Sequence, residues 1–205
     1  MPKKTHDSNS QLTPFFPSLS REALENLLKD LYEKFDNARN FIDLRMTGDS
    51  DPLVKKYKKL IKNRLVEDIE EGTNGLVEAI EAVREFALFN PAPRDQADIM
   101  LFFVESAVFC IGDFGDLYYE FYEEADNMFE EALKFMKSHK LLDEYRERTN
   151  RIVLDSIDFG YGFYDSLGDM FSIYYHGGKS RKMPVVKKPE AVKKIKKVKP
   201  KKTGS

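Results

Sequence analysis

The densest set of side chains able to do chemistry is acidic. Asp155, Asp158, Asp165 and Asp169 surround one stretch, and Asp113, Asp116 and Glu123 surround another. Asp165 and Asp169 are four residues apart, which places both carboxylates on one face of a helix. Converging carboxylate oxygens can hold Mg²⁺ or Ca²⁺. A carboxylate pair in unequal surroundings can act as general acid and base. Asp155, Asp158 and Asp165 are the metal candidates, but no EF-hand loop frames them, and acids on helices are ordinarily solvated. The residues therefore point to no metal and no cofactor, with a metal-assisted hydrolase as the alternative.

The other reactive residue types form no set. His6, His139 and His176 are scattered and match no zinc motif. His139 falls where a helix end would use it as a cap. Cys110 is the one cysteine and lies in the apolar run Phe102 to Ile111. That reads as a small buried thiol, excludes a disulfide within the chain, and favours an intracellular, cytoplasmic location. Asp113-Phe114-Gly115 recurs as Asp158-Phe159-Gly160. The same tripeptide binds metal in protein kinases, but the glycine-rich and catalytic loops are missing here, and the chain is too short for that fold. A turn is the better reading: Phe114 and Phe159 plug the core, and Gly115 and Gly160 relieve backbone crowding. With no Walker loop, dinucleotide fingerprint or serine-hydrolase elbow, an enzyme is not expected.

Charge is the strongest functional signal. Residues 177–205 hold eleven Lys and Arg181 against Glu190, a net of +11, whereas residues 1–176 hold 21 basic and 34 acidic residues, a net of −13. The basic segment has too few apolar residues for a core and repels itself, so it reads as a disordered tail. Lys187, Lys188, Lys193, Lys194, Lys196, Lys197, Lys201 and Lys202 are the candidate nucleic-acid tether. Such lysines would bind RNA or DNA by neutralising phosphates and releasing counterions, with log affinity falling against log salt at a slope near −4.5 for about five contacts to duplex DNA. Point charges of this kind do not read sequence. The tail could also aid solubility, dock on an acidic protein, fold back on the acidic body, or touch an anionic membrane surface. Nothing approaches the ~20 apolar residues of a membrane span, so stable insertion is not expected.

The elements that must carry these groups are helical. Residues 1–18 read as a flexible leader with Pro14 and Pro17. Ser20 is a helix cap, followed by one buried stripe of Leu24, Leu27, Leu28, Leu31 and Phe35, in a helix continuing to about Met46. Asp51-Pro52 restarts the chain, with the Asp51 carboxylate capping free amides. Leu53, Tyr57, Leu60, Ile61 and Leu65 form the next face, and the five Lys and one Arg between 55 and 64 mostly the opposite one. Leu76, Ile80, Val83 and Ala87 make another face, closed by Pro91 and Pro93. A central apolar helix spans about Gln96 to Ile111, with Glu105 at its edge. Helices follow over Phe121 to Ser138, Leu142 to Ile157, and Phe163 to Tyr175. The fold class is all-α over 19–176.

Phe121-Tyr122-Glu123 and Met128-Phe129 return, 42 residues later, as Phe163-Tyr164-Asp165 and Met170-Phe171. This is a repeated helical hairpin, and residues 53–90 could supply an earlier copy. Stacked hairpins of this period make a short HEAT-like solenoid; an irregular compact helical bundle is the alternative.

Three strings resemble the bacterial DUF6155 family: Leu19-Ser20-Arg21-Glu22-Ala23-Leu24, Asp98-Ile99-Met100-Leu101-Phe102-Phe103-Val104-Glu105, and Asp158-Phe159-Gly160-Tyr161-Gly162-Phe163-Tyr164-Asp165-Ser166-Leu167. The likeness covers roughly residues 19–175. It implies a helical bacterial protein and supplies no activity or catalytic residues, and the basic tail departs from it. The expected function is a helical interaction or scaffold protein, its body on a protein partner and its tail on RNA or DNA. An accessory or inhibitory subunit of a nucleic-acid-processing complex is a further alternative.

Overall fold

The computed structural model describes residues 8–67, 73–115 and 117–177. Within them regular structure is entirely helical. Part of the expected leader is helix α1 (Ser8–Phe15), followed by a 3₁₀ turn at Phe16–Ser18. Helix α2 (Arg21–Lys34) begins as expected, with the Ser20 hydroxyl accepting from the Ala23 amide at 3.1 Å.

The expected single helix to Met46 is instead two. Phe35 takes an extended conformation (φ −128°, ψ 115°), and α3 (Asp36–Thr47) starts at the next residue. Arg39 explains the break: its guanidinium donates to the carbonyls of Tyr32 (3.1 Å) and Glu33 (2.9 Å), satisfying acceptors at the end of α2. Tyr32 Oη donates to Asp43 Oδ1 at 2.8 Å and fastens the two helices together. The stripe on α2 is not buried, because α3 covers only part of it: Leu28 is 55 % exposed and Phe35 56 %.

Helix α4 (Asp51–Lys62) presents Leu53, Tyr57 and Ile61 to the core and runs on into a wider π turn at Asn63–Glu67. Its start uses a different carboxylate from the one expected: Asp49 Oδ1 accepts from the Asp51 amide at 3.0 Å. The Tyr57 ring packs against Phe86 (5.4 Å) and Phe89 (5.8 Å) at the end of α5 (Thr73–Leu88).

Helix α6 (Pro93–Phe114) is buried along most of its length. It is followed by α7 (Tyr119–Ser138), α8 (Leu142–Asp155) and α9 (Phe163–His176). The hairpins α4–α5, α6–α7 and α8–α9 stack, with α4, α6 and α8 in one layer and α5, α7 and α9 in the other. The result is a compact helical bundle with one continuous core. The sequence duplication is visible in it. Phe121 and Phe163 are both buried, as are Phe129 and Phe171, so α7 and α9 lie in parallel and equivalent places. Their contacts run from Tyr122 against Phe163 (5.6 Å) near the helix starts to Lys137 over Tyr174 (5.5 Å) near the ends.

The two Asp-Phe-Gly copies part company. Phe159 packs over Gly112 of α6, where an added Cβ would meet its ring at 3.3 Å. Phe114 does not plug the core; it is 48 % exposed. The chain leaves α6 immediately after it, through Gly115 at φ 86°, ψ −146°, a region essentially reserved for glycine. Gly160 has no positive φ; Asp158, Tyr161 and Gly162 bear that role instead.

Gly115→Ala should therefore cost about 1–3 kcal/mol from backbone strain alone, since nothing lies within 4 Å of the added carbon. Gly160→Ala should stay within about 1 kcal/mol of the parent. Urea unfolding of both variants checks the difference.

Candidate functional site

The most elaborate polar arrangement joins α4, α6 and α8. Asp98 and Glu105 stand two turns apart on α6 and so share a face. Arg148 of α8 reaches both. Its Nε and Nη2 donate to Glu105 Oε1 (2.6 Å) and Oε2 (2.8 Å), a two-pronged pairing, and its Nη1 donates to Asp98 Oδ1. Lys58 of α4 completes the group, with Nζ 2.5 Å from Asp98 Oδ2 and 5.3 Å from the centre of the Phe102 ring. Beside it Arg94 pairs with Glu144 (3.0 Å), and Tyr145 Oη donates to the Arg94 carbonyl (2.9 Å).

Burial opposes the charge on Arg148, but the bonds to Glu105 and then Asp98 outweigh it and raise its pKa. The guanidinium stays charged, and all three of its nitrogens are engaged. Both carboxylates are ion-paired in place, and Glu105, at the edge of α6, is tied to α8 through Arg148. Such a group fixes how three helices align. Glu105 was legible as a charge at the edge of an apolar helix; Asp98, Arg148 and Lys58 were not singled out, because sequence spacing does not say which helices become neighbours.

Beyond the seam, α6 and α8 enclose an open cleft of about 390 Å³ lined by Glu105, Phe109, Gly112, Arg151, Asp155 and Phe159, among others. Asp155 is the one metal candidate that reaches it. Asp158 sits in the following loop at φ 75°, and Asp165 is exposed in the first turn of α9. Among the described residues, no three His, Cys, Asp or Glu side chains are arranged to hold a metal ion. Asp116 and the lysines Lys187, Lys188, Lys193, Lys194, Lys196, Lys197, Lys201 and Lys202 lie outside the described residues.

Two further titratable groups, Cys110 and Asp126, are withdrawn from solvent, whereas His139 is exposed. Cys110 is fully buried and its thiol donates to the Leu65 carbonyl in the π turn at 3.1 Å. Burial, with Asp113 adding to it, pushes its pKa up to about 12, so the nucleophilic thiolate is not formed near neutral pH. His139 Nδ1 lies 2.9 Å from the Phe135 carbonyl at the end of α7, the capping place foreseen for it. Asp126 lies between α7 and α9. Its Oδ2 accepts from Ser166 Oγ at 2.5 Å, while Oδ1 is buried without a protein partner. Burial raises its pKa, more than Ser166 lowers it, and Glu130 raises it further.

These features define an all-α bundle of stacked hairpins whose principal polar cluster is an ion-pair network. The chain belongs to DUF6155, a family of unknown function whose model matches residues 7–163. That match starts before the resemblance read from the sequence and ends at the first residue of α9. No curated protein and no solved structure matches the chain. Among the described residues no helix is long and apolar enough to cross a membrane.

Arg148→Ala should lose about 2–3 kcal/mol, less than the ~3–5 kcal/mol of a fully buried pair, because Glu105 is 36 % exposed. Arg148→Lys keeps the charge but not the fork, and should lose about half as much. Chemical denaturation checks both.

A carboxyl with a folded-state pKa above its unfolded value holds its proton better when folded. Its ionisation costs stability as pH rises through that window, and the cost is relieved as pH falls. The stability difference between the parent and Asp126→Asn should therefore move in the parent's favour between neutral pH and the ordinary carboxylate value. Thermal melts of the pair across that range check the sign.

Proposed function

We propose that this is a non-enzymatic, cytoplasmic interaction protein of two cooperating parts: a rigid helical body that binds a protein partner, and a lysine-rich segment that holds RNA or DNA without sequence preference. The observation that carries this reading is the segregation of charge, −13 over residues 1–176 against +11 over residues 177–205. The change of composition falls where α9 closes, at Gly177 (φ 62°), so the positive stretch follows directly on the folded body.

The interior of the body supports the same reading. Asp98, Glu105 and Arg148 satisfy one another, and the Cys110 thiol is protonated and enclosed. Lysine clusters attract phosphate chains chiefly by counterion release, a term indifferent to base sequence. Linking such a segment to a body with its own partner raises the local concentration of each ligand for the other.

Deleting residues 178–205 should leave helicity and melting nearly unchanged and weaken binding to unrelated RNA and DNA oligonucleotides alike. The slope of log affinity against log salt on duplex DNA should shrink by about 4–5 if some five lysines make contact. Circular dichroism and salt-dependent titrations read the two effects. Unchanged affinity on deletion would sink the tether.

A further inference from the structure

The cleft beyond the Arg148 seam has a charge layout of its own. Helices α6 and α8 are tied at Glu105 and Arg148 and closed off further along, where Phe159 packs over Gly112. Between those contacts lies the cleft of about 390 Å³. Val108 and Ile152, both buried, form its apolar part together with the rings of Phe109 and Phe159. The Phe109 ring is 54 % exposed, so much of an aromatic surface is open to a ligand.

Three charged residues also line the cleft, and they differ. The Glu105 carboxylate is engaged by Arg148 through both oxygens. Arg151 and Asp155 have no hydrogen bond or ion pair among the described residues. They are four apart on α8, which sets their Cβ atoms about 5–6 Å from each other on one face. Three other opposite-charge pairs at this spacing do close on themselves: Arg21 with Glu25, Lys34 with Asp30, and Lys134 with Glu130. The pair at the cleft leaves a guanidinium and a carboxylate available side by side.

We propose that this cleft binds a free α-amino acid with an apolar side chain. Its carboxylate pairs with Arg151 and its ammonium with Asp155, while its side chain lies against Val108, Ile152, Phe109 and Phe159. Neighbouring unpaired charges of opposite sign beside an apolar surface match a zwitterion. A simple carboxylate would also face Asp155, and a simple amine would also face Arg151, each at a cost. The backbone of an internal stretch of peptide carries neither charge. The volume falls at the small end of the ~300–1,000 Å³ typical of ligand sites, which suits a single amino acid. Arg151 and Asp155 are exposed, so each ion pair adds only a few-fold in affinity. The inference goes beyond the reading of the chain as an interaction protein and does not depend on it.

A chemical-shift titration of the isotope-labelled full chain with L-phenylalanine tests it. Saturation is expected with a dissociation constant of about 1 mM or below, with shifts centred on the amides of Gly112 and Arg151. The probe 3-phenylpropanoate lacks the ammonium, and 2-phenylethylamine lacks the carboxylate. Each should bind about fivefold more weakly. Arg151→Gln should erase the penalty for the missing carboxylate, and Asp155→Asn the penalty for the missing ammonium. Phe109→Ala should weaken all three probes alike. Absence of L-phenylalanine binding at about 10 mM overturns the proposal. So does equal affinity for the three probes, or discrimination that survives both charge substitutions. Deleting residues 178–205 should leave L-phenylalanine binding as it was, whereas nucleic-acid affinity untouched by that deletion would remove the tether alone.

Discussion

Helix α6 must be surrounded. Its buried residues include Ile99, Met100, Leu101, Phe103, Val104, Ala107, Val108, Cys110 and Ile111, which cover more than half of the directions around the axis and leave one face to Asp98, Glu105 and Phe109. A helix apolar over so wide an arc cannot lie at a surface. Helices α4 and α8 flank it in its own layer, and α5 and α7 close it from the other. At the seam between those flanking helices Asp98 and Glu105 are met by Lys58 and Arg148. Burial supplies the driving force, at roughly 1.5–3 kcal/mol for each large side chain fully enclosed. The seam fixes which rotation of each helix is allowed.

What could be read from the chain follows from this division. Period and capping chemistry are local, so α4, α6, α7, α8 and α9 were visible within a few residues, as were Ser20 at the head of α2 and His139 at the foot of α7. The duplicated aromatics were read correctly as equivalent helices because Phe121, Phe163, Phe129 and Phe171 face one core. Several of the failures needed non-local information. The stripe on α2 has the spacing of a buried face, but its covering element is not encoded in that spacing. The break at Phe35 depends on Arg39 reaching back to α2. Phe114 and Phe159 share a tripeptide yet differ in fate, because Phe114 is the last residue of a helix that ends at a glycine with φ 86°, whereas Phe159 lies in the loop after α8. Nothing in its spacing marks Arg148, whose role appears only where α8 lies against α6.

The body and the lysine-rich segment follow different physics. The body is specified by packing and by charges satisfied at short range. The basic segment has a composition suited to long-range, salt-screened attraction. The family match covers most of the body and stops before the lysines.

The stacked arrangement also decides how the molecule comes apart. Each hairpin leans mainly on its neighbours, so structural stability is graded along the array rather than shared equally. Helices α2 and α3 bury no residue completely, and they can peel away while α6 remains enclosed. The outer hairpin is thus the first part to open and the last to close. The ease of that opening would decide where a protease first cuts the folded chain.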